Sequence, residues 1–522
     1  MPILSGFGAI DWMVVAIYLV GNAALGWYLS KRGARSAREY FLADGQMPGW
    51  LIAFSVLATT QSAATFLGGP DFGYRADYTY LAGSLGAVLA SLVVASVLLP
   101  RFYALKVTTV YELLDQRYGK LALRSTSAMY LVGRIFANGA RLFMAALAVA
   151  MILFMRADFS AIALATVIIV ILSLSLCLMG GLRSVIASDA VQLVVYAGAA
   201  VVVLFALYMR LDLGFAEVLA ALDAPPSGPS KLTIFDFSLA LDDPFTIPAA
   251  FTGLMLLNIG NFGLDQDTTQ RLLAAKSSRH AGWALFWSSI GALPIIFVFL
   301  SIGQLLHLFY DRGDLTGLAG ADTDLNSVTI FMRYILTELP DGLRGLCGAA
   351  VVAAAVSTLT SGLSSMSSVV IADFYKPWVG ALSDKQTIFA GRITMMSIAT
   401  ILGLMALVCF IWQRSADLPL LEFALQVMVF AYAGLLGVFA AAVFTNRGSE
   451  ASIVWALVIG FIAMVAGEAA VGGMIGVPES VTSLAFTWKL VAGSVLAFLV
   501  AITGNGQKTA RMTEAREQPA GT

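Results

Sequence analysis

Two stretches decide how this chain is read: ATTQSAATFLGGP at residues 58–70 and LNIGNFGLDQD at residues 257–267. Each lies in an apolar run long enough to cross a bilayer, yet each makes poor membrane helix. The first places Thr59, Thr60, Gln61 and Ser62 at mid-membrane and runs into Gly68, Gly69 and Pro70. The second carries Asn258, Gly260, Asn261, Gly263 and Asp265. They fall in the second and seventh apolar segments, five apart. That is the spacing of an inverted repeat of five helices plus five, each opening with a broken helix whose freed backbone groups line a midplane site. Hydroxyls and glycines also serve plain helix packing. Two such interruptions at this spacing favour a transporter.

Working outward, 59% of the 522 residues are hydrophobic and 12% charged, against about 25% charged in a soluble domain. Segments long enough for roughly 30 Å of hydrocarbon fall at 10–29, 50–69, 78–99, 125–153, 159–179, 182–209, 246–263, 283–307, 343–371, 388–412, 418–444, 451–472 and 483–502. The expected fold is therefore an all-α integral membrane protein of about 13 transmembrane helices, some discontinuous, around a five-plus-five inverted-repeat core. Residues 1–503 read as a single transporter domain, with repeats at about 50–209 and 246–444, and 504–522 as a disordered cytoplasmic tail. The first segment has no basic leader or cleavage site and reads as a retained helix.

Lys and Arg in the loops set the orientation. The side holding the C-terminus carries 18, including Lys31, Arg32, Arg35, Arg38, Arg101, Lys106, Arg117, Lys120 and Arg124, against 7 on the other. The expectation is a multi-pass protein of a bacterial inner membrane, N-terminus outside and C-terminus cytoplasmic. A net charge of -1 gives no reason to expect a nucleic-acid partner. Cys177, Cys347 and Cys409 lie in apolar runs without CxxC spacing, and His280 and His307 are the two histidines. Disulfide, zinc and haem chemistry are thus disfavoured. Nucleotide-binding glycine motifs are missing, so no enzyme activity and no covalent cofactor is expected.

The ninth segment holds AAAVSTLTSGLSSMSS at residues 353–368. Sodium prefers hard neutral oxygens, and adjacent hydroxyls such as Ser357 and Thr358, facing carbonyls freed by a broken helix, would form a cation cage. Serine-rich faces also pack helices. Asp189, near the start of the sixth segment, costs roughly 2.5–3.5 kcal/mol at a helix centre unless partnered. A second sodium with hydroxyls such as Thr360 and Ser361 would partner it; so would an interfacial position or a neighbouring arginine. Arg134 and Arg141 share one face of the fourth segment. Arg134 reads equally as a ligand for a solute carboxylate or as an anchor; Arg141 reads as structural. Glu422, Glu468 and Lys489 have no assigned role, and a proton relay through the two acids is the weaker reading.

These residues resemble the sodium/solute symporter family, the group of the sodium/glucose, sodium/proline and sodium/sialic acid transporters. The likeness spans nearly the whole chain: REYFLADGQMPGW, SVLATTQSAATFLGGPDFGY, KVTTVYELLDQRYG, GGLRSVIASDAVQ, the loop DQDTTQRLLAAKS, and VSTLTSGLSS followed by ADFYKP. It implies alternating access and sodium-driven uptake. Position by position it makes the carbonyls of Ala58, Gln61 and Ala354 and the hydroxyls of Ser357 and Thr358 the principal sodium site. Asp189, Ser357, Thr360 and Ser361 would form a second, for one sodium ion or, as expected here, two.

The motif is most similar to bacterial sodium/sialic acid symporters, through SVxATTxSxxTF and the Gly133-Arg134 pair. By that likeness Thr60, Ser62, Thr65 and Arg134 line the substrate pocket. Ser84 stands where that subgroup tends to have a glutamine, which removes one polar contact. The expected function is sodium-coupled import of a small organic solute, a carboxylate such as sialic acid. The alternatives are a monocarboxylate, vitamin or sugar as solute, a proton-coupled carrier, or a non-transporting sensor or channel on the same scaffold. The expected partners are sodium, the solute and the bilayer, with a monomer as the functional unit.

Overall fold

The computed structural model describes residues 7–30, 36–226, 228–312, 330–416 and 420–504. Lys31, Arg32 and Arg35, and the tail expected to be disordered beyond Gly504, lie outside the described residues. Among the described residues regular structure is helical, apart from one isolated bridge between Met47 and Ala275.

Among the described residues ten helices are long and apolar enough to cross a membrane: α1 (Ala9–Tyr28), α4 (Tyr80–Leu105), α5 (Lys120–Phe154), α6 (Phe159–Leu178), α7 (Gly181–Leu211), α8 (Ile247–Leu264), α10 (Ser278–Asp311), α11 (Leu343–Val379), α12 (Asp384–Arg414) and α13 (Leu421–Phe444). An eleventh span is the bent pair α2 (Gly49–Thr60) and α3 (Ala63–Arg75), whose axes differ by 60°. Two shorter apolar helices, α14 (Glu450–Ala466) and α15 (Phe486–Ala501), fall where the last two segments were expected. The chain is a multi-pass membrane protein.

The first break falls inside the hydroxyl run. Gln61 and Ser62 leave helical geometry for extended backbone (φ -84, ψ 115 and φ -125, ψ 176). Ser62 Oγ then caps α3 by accepting from Ala64 N at 3.2 Å. Gly68, Gly69 and Pro70 lie inside α3, which runs on to Arg75, so the helix ends later than the sequence suggested.

The second break comes five spans on and obeys the same local rule. A π-helical turn at Gly260–Leu264 ends α8. Asp265 is extended (φ -93, ψ 120), and its carboxylate caps α9 (Gln266–Leu273) by accepting from Asp267 N at 2.9 Å. The DQDTTQRLLAAKS stretch, read as a loop, folds into this helix, and every residue from Gln266 to Leu272 is buried.

Depth follows composition. In α11 and α5, rich in Ala, Gly and Ser, 89% and 83% of the apolar window is buried, whereas in α1 it is 22%. Small residues let backbones close up. A Cβ at Gly73 of α3 would lie 2.3 Å from Leu300 O of α10, and one at Gly303 would lie 2.2 Å from Pro70 O. The α3–α10 crossing therefore depends on glycine on both helices. Gly181, at φ 63, makes the kink between α6 and α7.

Candidate functional site

At the first break the end of α2 meets the serine-rich face of α11. Ala58, Gln61, Ala354 and Ser357, with Gln192 and Tyr196 of α7, wall a cavity of about 10 Å³, room for one water-sized occupant. Its oxygens are neutral: the break takes the carbonyls at the end of α2 out of the helical ladder. Thr358, next along α11, is not among the walls of this cavity, and its buried hydroxyl has no hydrogen-bond partner among the described residues. Ser357 Oγ donates to Asp189 Oδ1 at 2.7 Å, which leaves its lone pairs free to face a cation. This oxygen set suits a small hard cation.

Behind Ser357 lies a network of buried charge. Asp189 is wholly buried and accepts from Ser55 Oγ and from Arg271 Nη2, the latter at 3.1 Å. Arg271 of α9 donates onward through Nη1 to Asp267 Oδ1 at 3.1 Å, one helical turn away. Asp267 also accepts from Ser361 Oγ and, at 2.6 Å, from Arg134 Nη2. Arg134 Nε reaches Asp265 at 3.0 Å, and Tyr432 OH donates to Asp265 Oδ2 at 2.6 Å. Two guanidinium groups face three carboxylates, a formal excess of one negative charge among buried groups. Such a charge is costly unless a cation balances it.

The structure thus places the expected second ion set as follows. Asp189 and Ser357 touch. Ser361 turns to Asp267, and Thr360 Oγ1 donates to Ser357 O at 3.1 Å within its own helix. Of the readings left open for Asp189, pairing with an arginine is realised, and the partner is Arg271, 82 residues away in sequence.

Beside this small cavity lies a larger one of about 130 Å³. Thr60 and Thr65 of the broken span line it, with Ser84 of α4, Asn258 and Asn261 of α8, and Arg141 of α5. Gln61 lines both cavities. Ser62 is buried as the cap of α3 and is not among the walls, and neither is Arg134, only 2% exposed and bound to two aspartates. Arg141, read as structural, does face the cavity.

Sequence reasoning missed Arg271 and Asp267 as members of the site. Their spacing of four residues, which stacks them on one helix face, was the available signal. Away from both cavities, Gln426 Nε2 donates to both carboxylate oxygens of Glu468 at 2.6 and 2.5 Å, and Lys489 Nζ donates to Thr482 O at 2.9 Å. Glu422 lines neither cavity.

Comparison with known proteins agrees with this geometry. Residues 40–460 match the profile of the sodium:solute symporter family. The chain is 28% identical over 472 residues to a sodium/sialic acid symporter, SiaT, of Proteus mirabilis, covering 89% of this chain and 90% of that one. It is 28% identical over 424 residues to the sodium/sialic acid symporter NanT of Aliivibrio fischeri, covering 79% of each. Among solved structures, a Na+-coupled sialic acid symporter in a substrate-bound, outward-open state superposes with a TM-score of 0.80 at 26% identity, over 95% of this chain and 98% of that one.

Proposed function

The chain belongs to the sodium:solute symporter family, and from that premise we propose that it imports an organic anion, N-acetylneuraminate foremost, together with two sodium ions. Sodium is its coupling ion and an organic solute its cargo, as in the family at large; the identity of the anion and the number of ions are the proposal. The observation that carries it is the small cavity of neutral oxygens at the first helix break, joined through Ser357 to a buried network with a formal excess of one negative charge.

In this reading Ala58, Gln61 and Ala354 offer carbonyls and Ser357 and Thr358 hydroxyls to the first sodium. The second is drawn to the negative network at Asp189, with Ser357 shared and Thr360 and Ser361 within one helical turn on α11. Thr60 and Thr65 line the solute cavity, and Ser62 fixes its edge by capping α3. Two sodium ions with a monoanion move one net charge inward, worth about 2.3 kcal/mol per 100 mV. The working unit is a monomer embedded in a bacterial inner membrane. Its C-terminus is cytoplasmic, and the repeats at 50–209 and 246–444 rock about the two breaks.

The test is uptake of labelled N-acetylneuraminate into proteoliposomes under an inward sodium gradient, with potassium replacement as control. Unlabelled pyruvate, pantothenate, glucose and proline serve as competitors. Sodium-dependent accumulation is expected. Accumulation without sodium would instead favour proton coupling, and competition by pyruvate or pantothenate alone would move the solute to a monocarboxylate or vitamin.

A further inference from the structure

Helices α4, α8, α13 and α15 end on one side of the bilayer, tied together there. Tyr111 OH, in the connection after α4, donates to Leu264 O at the end of α8 at 3.0 Å. Arg117 of the same connection donates to Ala442 O and Thr445 O at the end of α13. Gly448 N, past α13, donates to Gly504 O, past α15, at 3.1 Å. In the half of the helices nearest these ties lies a cavity of about 390 Å³, walled from 93–98, 256–264, 436–444 and 494–498. At 1.5 Å per residue the α8 wall is about 12 Å long, close to one leaflet of a hydrocarbon core of roughly 30 Å. Ser494 carries the only polar side chain in the described wall. A buried water needs roughly two to four polar partners, whereas an apolar cavity of about 150 Å³ already takes benzene, so this larger one suits hydrocarbon. Phe444 and Val495 are exposed, which puts its mouth on the outer surface of the bundle.

We propose that this groove holds one acyl chain of an anionic phospholipid whose phosphate sits at Arg101 and Arg447. Arg101 lies one turn past Val97 on α4, and its Nη1 folds back onto the carbonyl of Val97, a wall residue of the groove. Arg447 follows the wall residue Phe444 by three positions. Both side chains are exposed, and neither forms an ion pair among the described residues. Glu450, the acid beside Arg447 in sequence, is turned to Leu121 N at 3.4 Å. A guanidinium matches a phosphate in charge and in shape, and this end of the groove lies on the Lys- and Arg-rich side, where anionic headgroups are attracted. The chain itself offers no plug from its end: residues 505–522, NGQKTARMTEAREQPAGT, are polar.

The groove also touches the second helix break. Leu264, in its wall, closes the π-helical turn and precedes Asp265, the cap of α9. Beside it Gly263 lies tight against α4: a Cβ there would come 2.5 Å from Leu98 Cδ1 and 3.0 Å from Val94 Cγ2. A chain packed on Leu98, Ile259 and Leu264 fills the outer side of this crossing and favours the arrangement in which α8 stops and α9 begins. A lipid held this way is a ligand of the folded protein, so it raises stability by mass action.

The experiment combines native mass spectrometry with thermal unfolding of the purified full-length protein in detergent. The probes are palmitoyl-oleoyl phosphatidylglycerol, phosphatidylcholine with the same chains, and glycerol phosphate without chains. One phosphatidylglycerol should be retained per chain and should raise the unfolding temperature more than phosphatidylcholine does, while glycerol phosphate does neither. Arg101→Gln with Arg447→Gln, both at the surface, should weaken phosphatidylglycerol by about 10-fold and leave phosphatidylcholine unchanged. Val97→Trp, which fills the groove, should weaken both lipids. Should the tryptophan variant fail to fold, Ala440→Val, a smaller filling on α13, must weaken both in the same direction. Equal stabilisation by the two lipids in wild type overturns the proposal, as does a phosphatidylglycerol preference that survives the glutamine pair. So do lipid binding untouched by the filling variant that folds, an effect of glycerol phosphate as large as that of the lipid, and a mass of two chains without lipid, which would give the groove to a second copy.

Discussion

Ser357 donates its hydroxyl proton to Asp189 at 2.7 Å and also lines the small cavity at the first break. One side chain thus joins the neutral oxygen cage to the charged network, and an ion in either place alters the hydroxyl's environment in the other. Ser357→Ala should therefore raise the sodium concentration for half-maximal uptake by at least about 10-fold, the scale of a lost hydrogen bond to a charged group. Thr358→Ala, which removes a hydroxyl without a hydrogen-bond partner among the described residues, should do the same without loss of unfolding temperature in sodium-free buffer. Sodium titrations of uptake check both; unchanged half-saturation in the double variant would remove these hydroxyls from the ion site.

Asp189 and Arg271 are wholly buried and 3.1 Å apart. Asp189→Asn leaves the guanidinium with Asp267 as its remaining carboxylate partner, and breaking a buried pair this way costs about 3–5 kcal/mol. The variant should melt well below wild type in detergent. Asp189→Asn combined with Arg271→Gln should recover part of that loss, because neither charge is then stranded. In proteoliposomes the Asp189→Asn variant should also move less charge per solute. A current-to-flux ratio equal to wild type would separate Asp189 from ion binding.

How much of this was legible in sequence differs from residue to residue. The breaks at Gln61 and Asp265 were visible because they are local events: residues unsuited to apolar helix sit where the helix stops. The roles of the two arginines were not. Seven residues apart on one face of α5, Arg134 and Arg141 look equivalent along the chain. What separates them is Asp265 and Asp267, more than 120 residues downstream, which the second break brings against Arg134 and leaves out of hydrogen-bonding reach of Arg141. Likewise α9 is polar enough to read as a loop. It is buried because its charges are paired across three helices, which no local pattern reports.

Outside the membrane, Glu112 gives a pH dependence of known sign. It begins the short helix Glu112–Tyr118 between α4 and α5, and its Oε1 accepts from Thr108 N at 3.0 Å and Thr109 N at 3.1 Å. Burial raises its carboxyl above the ordinary 4.5, more than those two hydrogen bonds lower it. The folded protein then holds a proton that the unfolded chain releases, so this group's contribution is full below the ordinary value and is lost as pH rises through the raised one. Glu112→Gln keeps an oxygen for both amides and carries no charge. Relative to wild type its unfolding temperature should be similar near pH 4 and higher at pH 8. A gap that does not widen with pH would argue against a buried, proton-holding carboxyl.

Gln61 belongs to both cavities, and its Oε1 is buried without a hydrogen-bond partner among the described residues. An orphaned buried acceptor costs about 1–3 kcal/mol, so without ligands Gln61→Leu should melt higher than wild type. If Gln61 serves sodium through its backbone carbonyl, the leucine variant keeps the sodium-induced shift in unfolding temperature. What it loses is the polar surface turned to the solute cavity. Its half-saturation for sodium should stay near the wild-type value, while its half-saturation for the transported acid rises several-fold. The two titrations separate the backbone from the side chain. A sodium shift that shrinks with Gln61→Leu would assign Oε1 to the ion, and the amide would then be a ligand held between the two cavities rather than part of the solute's wall.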